Sequence, residues 1–180
     1  MQPPQRSVVV APYDPDWPSL FAAEARAIRT ALGDVVAEVH HMGSTAVEGL
    51  AAKPVIDVFL QVHRLDGLDA RASALEAIGY TPYGEYGLPG RRYFPKGGTV
   101  RTHHLHAYAV HNPEPLRHLV FRDYLRAHGP IREAYAALKL RCAAENQANM
   151  EGYCDCKNDF IVHHEARALA WAAGRGITQS

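Results

Sequence analysis

Asp57 interrupts the run Val55-Ile56-Asp57-Val58-Phe59-Leu60, which otherwise has the apolar continuity of a buried strand. An unpaired carboxylate in such a place is costly, so it must be paired, protonated, metal-bound or set at an open strand end. As a structural residue it would cap backbone or pair with an arginine. As a chemical one it would be a metal-binding or catalytic carboxylate beside the preceding loop, residues 43–54. In that loop Gly43-Ser44-Thr45 allows backbone N–H groups to approach an anion closely, Ser44 and Thr45 add hydroxyls, and Lys53 adds a cation. The loop is not a Walker A sequence, because five residues separate Gly43 from Gly49 and Leu50 stands where lysine would be needed. It is not a serine-nucleophile elbow either, since G-x-S-x-G is absent. A plain turn of small residues is the bland alternative.

A second cluster is Thr102-His103-His104-Leu105-His106. Strand alternation puts His104 and His106 on one face with Thr102 and Tyr108, and His103 on the other with Leu105. Two imidazoles so spaced begin a metal site or an acid–base pair, but zinc alone wants three or four ligands. H-E-x-x-H is absent, and either histidine taken singly also fits a satisfied core residue. In the rear of the chain Tyr135 precedes Lys139 by four residues and Tyr153 precedes Lys157 by four, each pair on one helix face. These lysines belong to a solvated face or reach a phosphate held by the 43–54 loop. Phe121-Arg122-Asp123 offers a structural ion pair joining the two parts of the chain.

The elements that must position these groups follow from apolar periodicity. Trp17, Leu20, Phe21, Ala27, Ile28 and Ala31 mark an amphipathic helix with Pro18 in its first turn, Gly33 as its stop and Arg26 and Arg29 outward. Glu24 is the exception within the stripe. Val35, Ala37, Val39 and His41 should share one face of a first strand, and residues 55–62 form a second. A helix over 68–78 ends at Gly79, residues 80–98 make turns and a hairpin around Leu88-Pro89-Gly90, and residues 99–110 form another strand. Helices are expected over 113–127, 130–147 and 153–173. The fold class is therefore α/β in the α+β sense. It divides into a core over 1–112 and a C-terminal helical part over 113–180 packed on it as one structural unit.

Composition narrows the partners. The 180 residues carry 19 Lys+Arg against 19 Asp+Glu, and this zero balance argues against a dedicated nucleic-acid binder. Hydrophobic residues at 47% and charged residues at 21% are ordinary globular values. Cys142, Cys154 and Cys156 are too few and too oddly spaced for a secreted framework, so three free thiols in a reducing compartment are expected. Met1–Arg6 leads into only three valines, with no leader-like or membrane-length apolar run, which points to a cytoplasmic protein without a membrane partner.

Several stretches together resemble the GrpB family. They are His41 to Val47 with Gly49 to Asp57, Arg91-Arg92-Tyr93-Phe94, His103 to His106, Phe121 to Leu125, Tyr135 with Lys139, and Tyr153 with Lys157. The resemblance covers about residues 8–170. It implies a nucleotidyltransferase-like mixed sheet with flanking helices, in which a strand leads into a Gly-Ser turn that grips a triphosphate. The next strand of that superfold supplies two metal-binding carboxylates one residue apart. Gly43 and Ser44 match the turn and Asp57 the first carboxylate, whereas Phe59 occupies the second position. His104 or His106 would complete an altered site for Mg²⁺ or Mn²⁺, with Zn²⁺ a further candidate because imidazole favours Mn²⁺ or Zn²⁺.

The implied activity is transfer of a nucleotidyl group from a small-molecule nucleotide to an acceptor the sequence leaves unnamed. Gly43, Ser44, Thr45, Lys53, Lys139 and Lys157 would hold the nucleotide. Asp57, His104 and His106 would bind metal and act in catalysis. A non-catalytic nucleotide- or phosphate-binding module, supported by Phe59, is the alternative, and a His-based metal-dependent hydrolase or phosphotransferase is a third. Members of the family also look like a domain fused to dephospho-coenzyme A kinase, and Tyr83, Tyr86 and Tyr93 offer stacking surfaces for a base.

Overall fold

In the computed structural model, which describes residues 8–176, four strands make one mixed sheet. They are β1 (Val36–Met42), β2 (Ile56–Val62), β3 (Arg91–Lys96) and β4 (His103–Ala109), in the order β1-β2-β4-β3. β1 runs antiparallel to β2, β2 parallel to β4, and β4 antiparallel to β3. The Met1–Arg6 stretch lies outside the described residues. No helix among those described is long and apolar enough to cross a membrane.

The period of two in β2 divides the sheet into two chemistries. Ile56, Val58, Leu60 and Val62 are each at most 2% exposed and pack with Leu105 and Ala107 of β4 against Ile28 and Leu32 of the first helix, α1 (Trp17–Leu32). Asp57, Phe59 and Gln61 therefore project from the other face. The parallel register sets Asp57 opposite His104 and Phe59 opposite His106. In β1, Val39 and His41 pair with core positions Leu60 and Val58, but Ala37 does not continue the series. The strand bulges between Val36 and Glu38, so Val36 stands opposite Val62.

Gly33, with φ +59°, ends α1 as expected, while Leu20 is 49% exposed and does not belong to the buried stripe. Glu24 in that stripe has an explanation across the sheet. Its carboxylate accepts from Lys96 Nζ at 2.8 and 2.9 Å, and His103 Nε2 lies 3.8 Å away. His103 is thus the histidine of the core-side face.

The expected single helix over 68–78 is two short ones, α2 (Leu65–Asp69) and α3 (Ala72–Ala77). Between them Arg71 turns its guanidinium to the Leu32 carbonyl and the Asp34 carboxylate, which ties the crossover to the end of α1. Residues 81–84 run beside β3, with Tyr83 N–H to the Tyr93 carbonyl and Tyr93 N–H to the Gly84 carbonyl, both at 2.9 Å. β4 begins at His103, later than the expected 99, because the chain first turns through Gly97, whose φ is +99°. Three helices follow: α4 (Glu114–Ala127), α5 (Gly129–Glu145) and α6 (Met150–Ala173). α6 starts before the expected 153, because the Asn149 side chain accepts from Gly152 N–H at 3.0 Å and caps it.

The expectation of three free thiols is overturned. α5 and α6 form a hairpin that brings Cys142 and Cys156 together in a disulfide, and Cys154 alone stays free and exposed. Closing a loop of this length removes about 3 kcal/mol of unfolded-chain entropy. Reduction, or Cys142→Ser, should therefore lower the melting temperature by about 6–12 °C for a domain of this size. Thiol labelling under native conditions should modify one cysteine before reduction and three after denaturation with reductant.

Candidate functional site

β1 runs into Gly43, whose φ of +73° lies in the left-handed region. The need for glycine there is steric as well. A Cβ at this position would run into Asp57 Oδ2 and lie 3.1 Å from its Cβ and Cγ. The chain then makes one 3₁₀ turn, Ser44–Ala46, with Ala46 N–H to the Gly43 carbonyl at 3.2 Å. The turn is held from behind. Arg122 donates to the His41 carbonyl at 2.8 Å, and Arg126 donates twice to the Ala46 carbonyl at 3.0 and 2.7 Å. The Arg122–Asp123 ion pair, at 2.8 Å, lies within α4 and does not itself join the two parts of the chain; the link from helix to sheet is the hydrogen bond from Arg122 to the His41 carbonyl. Thr45 is 1% exposed and its hydroxyl is engaged with His41 Nε2 at 2.9 Å, inside the loop's own support. His41 stacks on Phe21 at 4.7 Å, and burial pushes its pKa down to about 4, so it is a neutral partner.

Beside the turn, His104 Nδ1 lies 3.4 Å from Asp57 Oδ1. Burial raises the Asp57 carboxyl, but the hydrogen bond and charge of His104, with His106 and Lys53 adding, outweigh it and hold the group below its usual range. Burial takes His106 down to about 4. Among the described residues His104 Nε2 is buried with no hydrogen-bond partner. Asp57, His104 and His106 each offer a ligand atom, and these atoms lie within 4.8 Å of one another. One carboxylate oxygen and two imidazole nitrogens fit a divalent transition ion better than Mg²⁺, which prefers oxygen. Asp57 is thus the third donor that the spacing of the histidines alone did not reveal.

Phe59, where the superfold pattern would have a carboxylate, is 1% exposed and lies in a ladder of rings, 5.6 Å from His40 and 6.0 Å from Tyr108. The register puts His106 of β4 beside it, so an imidazole from the neighbouring strand lies next to the position where Phe59 offers no ligand atom.

The helical part brings the lysines in. Lys139 Nζ lies 5.2 Å from the Tyr135 ring centroid, Lys157 Nζ 5.0 Å from that of Tyr153, and Lys53 Nζ 3.8 Å from Met150 Sδ. Together with Gly43, Ser44, Thr45, Asp57 and His104 these lysines line a cavity of about 190 Å³. Lys139 is only 3% exposed. Burial, with the charges of Lys157 and Lys53, lowers it to about 7 against the opposing pull of Asp57. Lys157 is lowered as well, by burial and then by Lys53.

A second chamber of about 310 Å³ adjoins the first across Gly43, Ser44, Asp57 and Tyr135, between α4 and α6. Sequence reasoning missed its residues His118, Arg117 and Glu165, the last two paired at 3.1 Å. Their signal was the helical spacing of His118 with Arg122, and a charged helix face most often faces water. Tyr93 sits 5.2 Å from His106 and 5.8 Å from His104, and Tyr86 stacks on it at 5.1 Å, with Tyr83 at the exposed rim.

The family description that matches the chain is "GrpB protein", over residues 7–167. Protein YqkA of Bacillus subtilis is 41% identical over 172 residues, which cover 96% of this chain and 50% of YqkA. The chain thus spans about half the length of that relative. Dephospho-CoA kinase of Mycobacterium bovis is 29% identical over 190 residues, 91% of this chain and 46% of the kinase. Among solved structures, the conserved protein GrpB from Enterococcus faecalis superimposes with a TM-score of 0.87 at 41% identity, covering 90% of this chain and 98% of that one. Cid1 in complex with its short product ApU matches with a TM-score of 0.54 at 11% identity, over 82% of this chain and 48% of Cid1. That distant likeness is one of fold alone. Taken with the profile match and the Enterococcus structure, the shared residues show that the chain belongs to the GrpB family.

Proposed function

We propose that the chain binds a nucleoside triphosphate in the lysine-lined cavity, together with a divalent metal, and transfers the nucleotidyl group to an acceptor. One observation carries this: a single small cavity joins a turn that excludes any side chain, three lysines, and Asp57 with His104, and the donor atoms of these two lie within 4.8 Å of that of His106. Asp57, His104 and His106 would hold the metal, which when bound would neutralise phosphate charge and polarise the phosphoryl oxygens. The Gly43-Ser44 backbone gives N–H donors to phosphate oxygens. Lys53, Lys139 and Lys157 draw the β- and γ-phosphates away from Asp57 and steady the charge that develops on departing pyrophosphate. The distant fold likeness to Cid1, solved in complex with its short product ApU, supports the choice of ligand.

Phe59 favours a second reading, a binding module of the same fold that holds the nucleotide without turning it over. Loss of one carboxylate weakens the hold on a second metal, and two-metal phosphoryl transfer needs both. A histidine-based phosphate-ester hydrolase would use the same three donors but has no evident need of three lysines.

Thermal denaturation with each of four nucleoside triphosphates and Mg²⁺, Mn²⁺ or Zn²⁺ tests the shared core of these readings. A ligand at one hundred times its dissociation constant adds about 2.7 kcal/mol, a rise of roughly 5–10 °C. The rise should require metal and vanish in Asp57→Asn; a shift indifferent to Asp57, or none, overturns the proposal. Turnover of the bound nucleotide then separates transferase from module.

Lys139 yields a second test with a defined sign. Its folded pKa of about 7 lies below the unfolded 10.5, so between these values the unfolded chain binds more protons and stability rises with pH. The penalty is fully present below pH 7 and gone above 10.5. Lys139→Met should therefore stabilise the protein by a few kcal/mol at pH 7, given about 1.4 kcal/mol per tenfold change in proton affinity. Urea unfolding at pH 6.5 and 9.5 should show this gain shrinking as pH rises. The same variant should bind inorganic tripolyphosphate at least tenfold more weakly by calorimetry.

A further inference from the structure

The two chambers that meet at Asp57 differ in charge. The smaller carries Lys53, Lys139 and Lys157. In the larger, each cation is already answered: Arg117 pairs with Glu165 at 3.1 Å and with Glu114 at 3.5 Å, and Arg122 pairs with Asp123 at 2.8 Å. Its remaining walls are largely apolar, from Met42, Phe121, Leu125 and Ile161. Set into them is His118, whose imidazole makes no hydrogen bond among the described residues. Burial and then Arg117 push its pKa down to about 4, so it offers a lone pair at neutral pH.

Nucleotidyl transfer needs the attacking group in line with departing pyrophosphate, hence on the other side of the reacting phosphorus from the lysines. It also needs somewhere for the acceptor's proton to go. On the reading of the lysine cavity given above, we infer that the α4–α6 chamber is the acceptor site, that it takes an uncharged small molecule bearing a hydroxyl on an apolar body, and that His118 receives the hydroxyl proton. The acceptor oxygen forms a bond to the α-phosphorus, and the bond from that phosphorus to the α,β-bridging oxygen breaks. Pyrophosphate leaves with the electron pair toward the lysines, and the proton passes to the free imidazole nitrogen of His118. An anionic ligand would compete with Glu165 or Asp123 for arginines that are already paired, and a cationic one would compete with those arginines for the same carboxylates.

The test uses 2-phenylethanol as the probe, with phenylacetate as its charged counterpart. Saturation-transfer NMR on the whole chain should show the alcohol bound, and Ile161→Trp, which fills the chamber, should weaken it at least tenfold. Met42→Phe fills the same space from β1 and serves if the first variant fails to fold. With Mn²⁺ and a nucleoside triphosphate, mass spectrometry should detect the phenylethyl ester of the nucleoside monophosphate. His118→Gln should lower kcat for it at least thirtyfold while the alcohol's KM stays within threefold.

Alcohol binding unchanged by both filling variants overturns the inference, as does tighter binding of phenylacetate. So does a filled chamber that loses the nucleoside triphosphate yet keeps tripolyphosphate, because the chamber then holds the nucleoside. Bound alcohol and bound nucleotide that give no ester also overturn it. If the nucleotide shift is absent from wild type, the transferase reading fails by itself, and the NMR result still reports what the chamber accepts.

Discussion

Asp57 is a carboxylate placed in an apolar strand, and its environment is arranged around that cost. Among the described residues no arginine guanidinium pairs with it. The parallel register of β2 and β4 instead puts His104 at its side and His106 two pairs further on. Burial lowers the pKa of His106, so that imidazole offsets the Asp57 charge only in part. A full arginine pair would have been the more stable solution and would have closed the site. The absence of a side chain at Gly43 follows from the same requirement, since the turn has to lie against the carboxylate.

The sheet's two faces divide the work. On one, α1 covers Val58, Leu60 and Leu105, and the Glu24–Lys96 pair with His103 is sealed beneath it. On the other, the polar face of the same strands would be exposed but for α4, α5 and α6. These helices do more than cover it: Arg122 and Arg126 of α4 hold the carbonyls of His41 and Ala46, so the loop geometry depends on the helical part being in place. Both arginines lie after Asn112-Pro113, on the far side of that point from the turn they hold.

Much of this was readable from residue order. An aspartate amid Ile56, Val58 and Leu60 is conspicuous, and the alternation of His104 with Leu105 and His106 settles which histidines share a face. What residue order does not contain is which strands become neighbours. β2 pairs with β4 across an intervening strand and two helices, and only that pairing unites Asp57 with both histidines. Likewise Cys154 and Cys156 are near neighbours in sequence, yet the partner of Cys156 is Cys142, which a helix hairpin brings to it. The break at Arg71 coincides with its contacts to Leu32 and Asp34, which local pattern does not contain, and the bulge that displaces Ala37 has no marker in the sequence. His118 went unnoticed because a helix face with arginines has the same spacing whether water or a cavity lies in front of it.

The lysine chamber carries its own instability. Lys139, Lys157 and Lys53 are like charges in a small space, and burial adds to their repulsion, as the lowered Lys139 and Lys157 show. Left alone, that repulsion would push α5 away from α6. Two features oppose it. The Tyr135 and Tyr153 rings lie under the ammonium groups, and the Cys142–Cys156 disulfide joins the same two helices, three residues after Lys139 and one before Lys157. A chamber held together against its own charge gains most when a polyanion enters, because every phosphate oxygen then relieves repulsion that the fold has been bearing. The crosslink and the two tyrosines thus hold α5 and α6 together across the three lysines, as the glycine turn holds the opposite wall against Asp57.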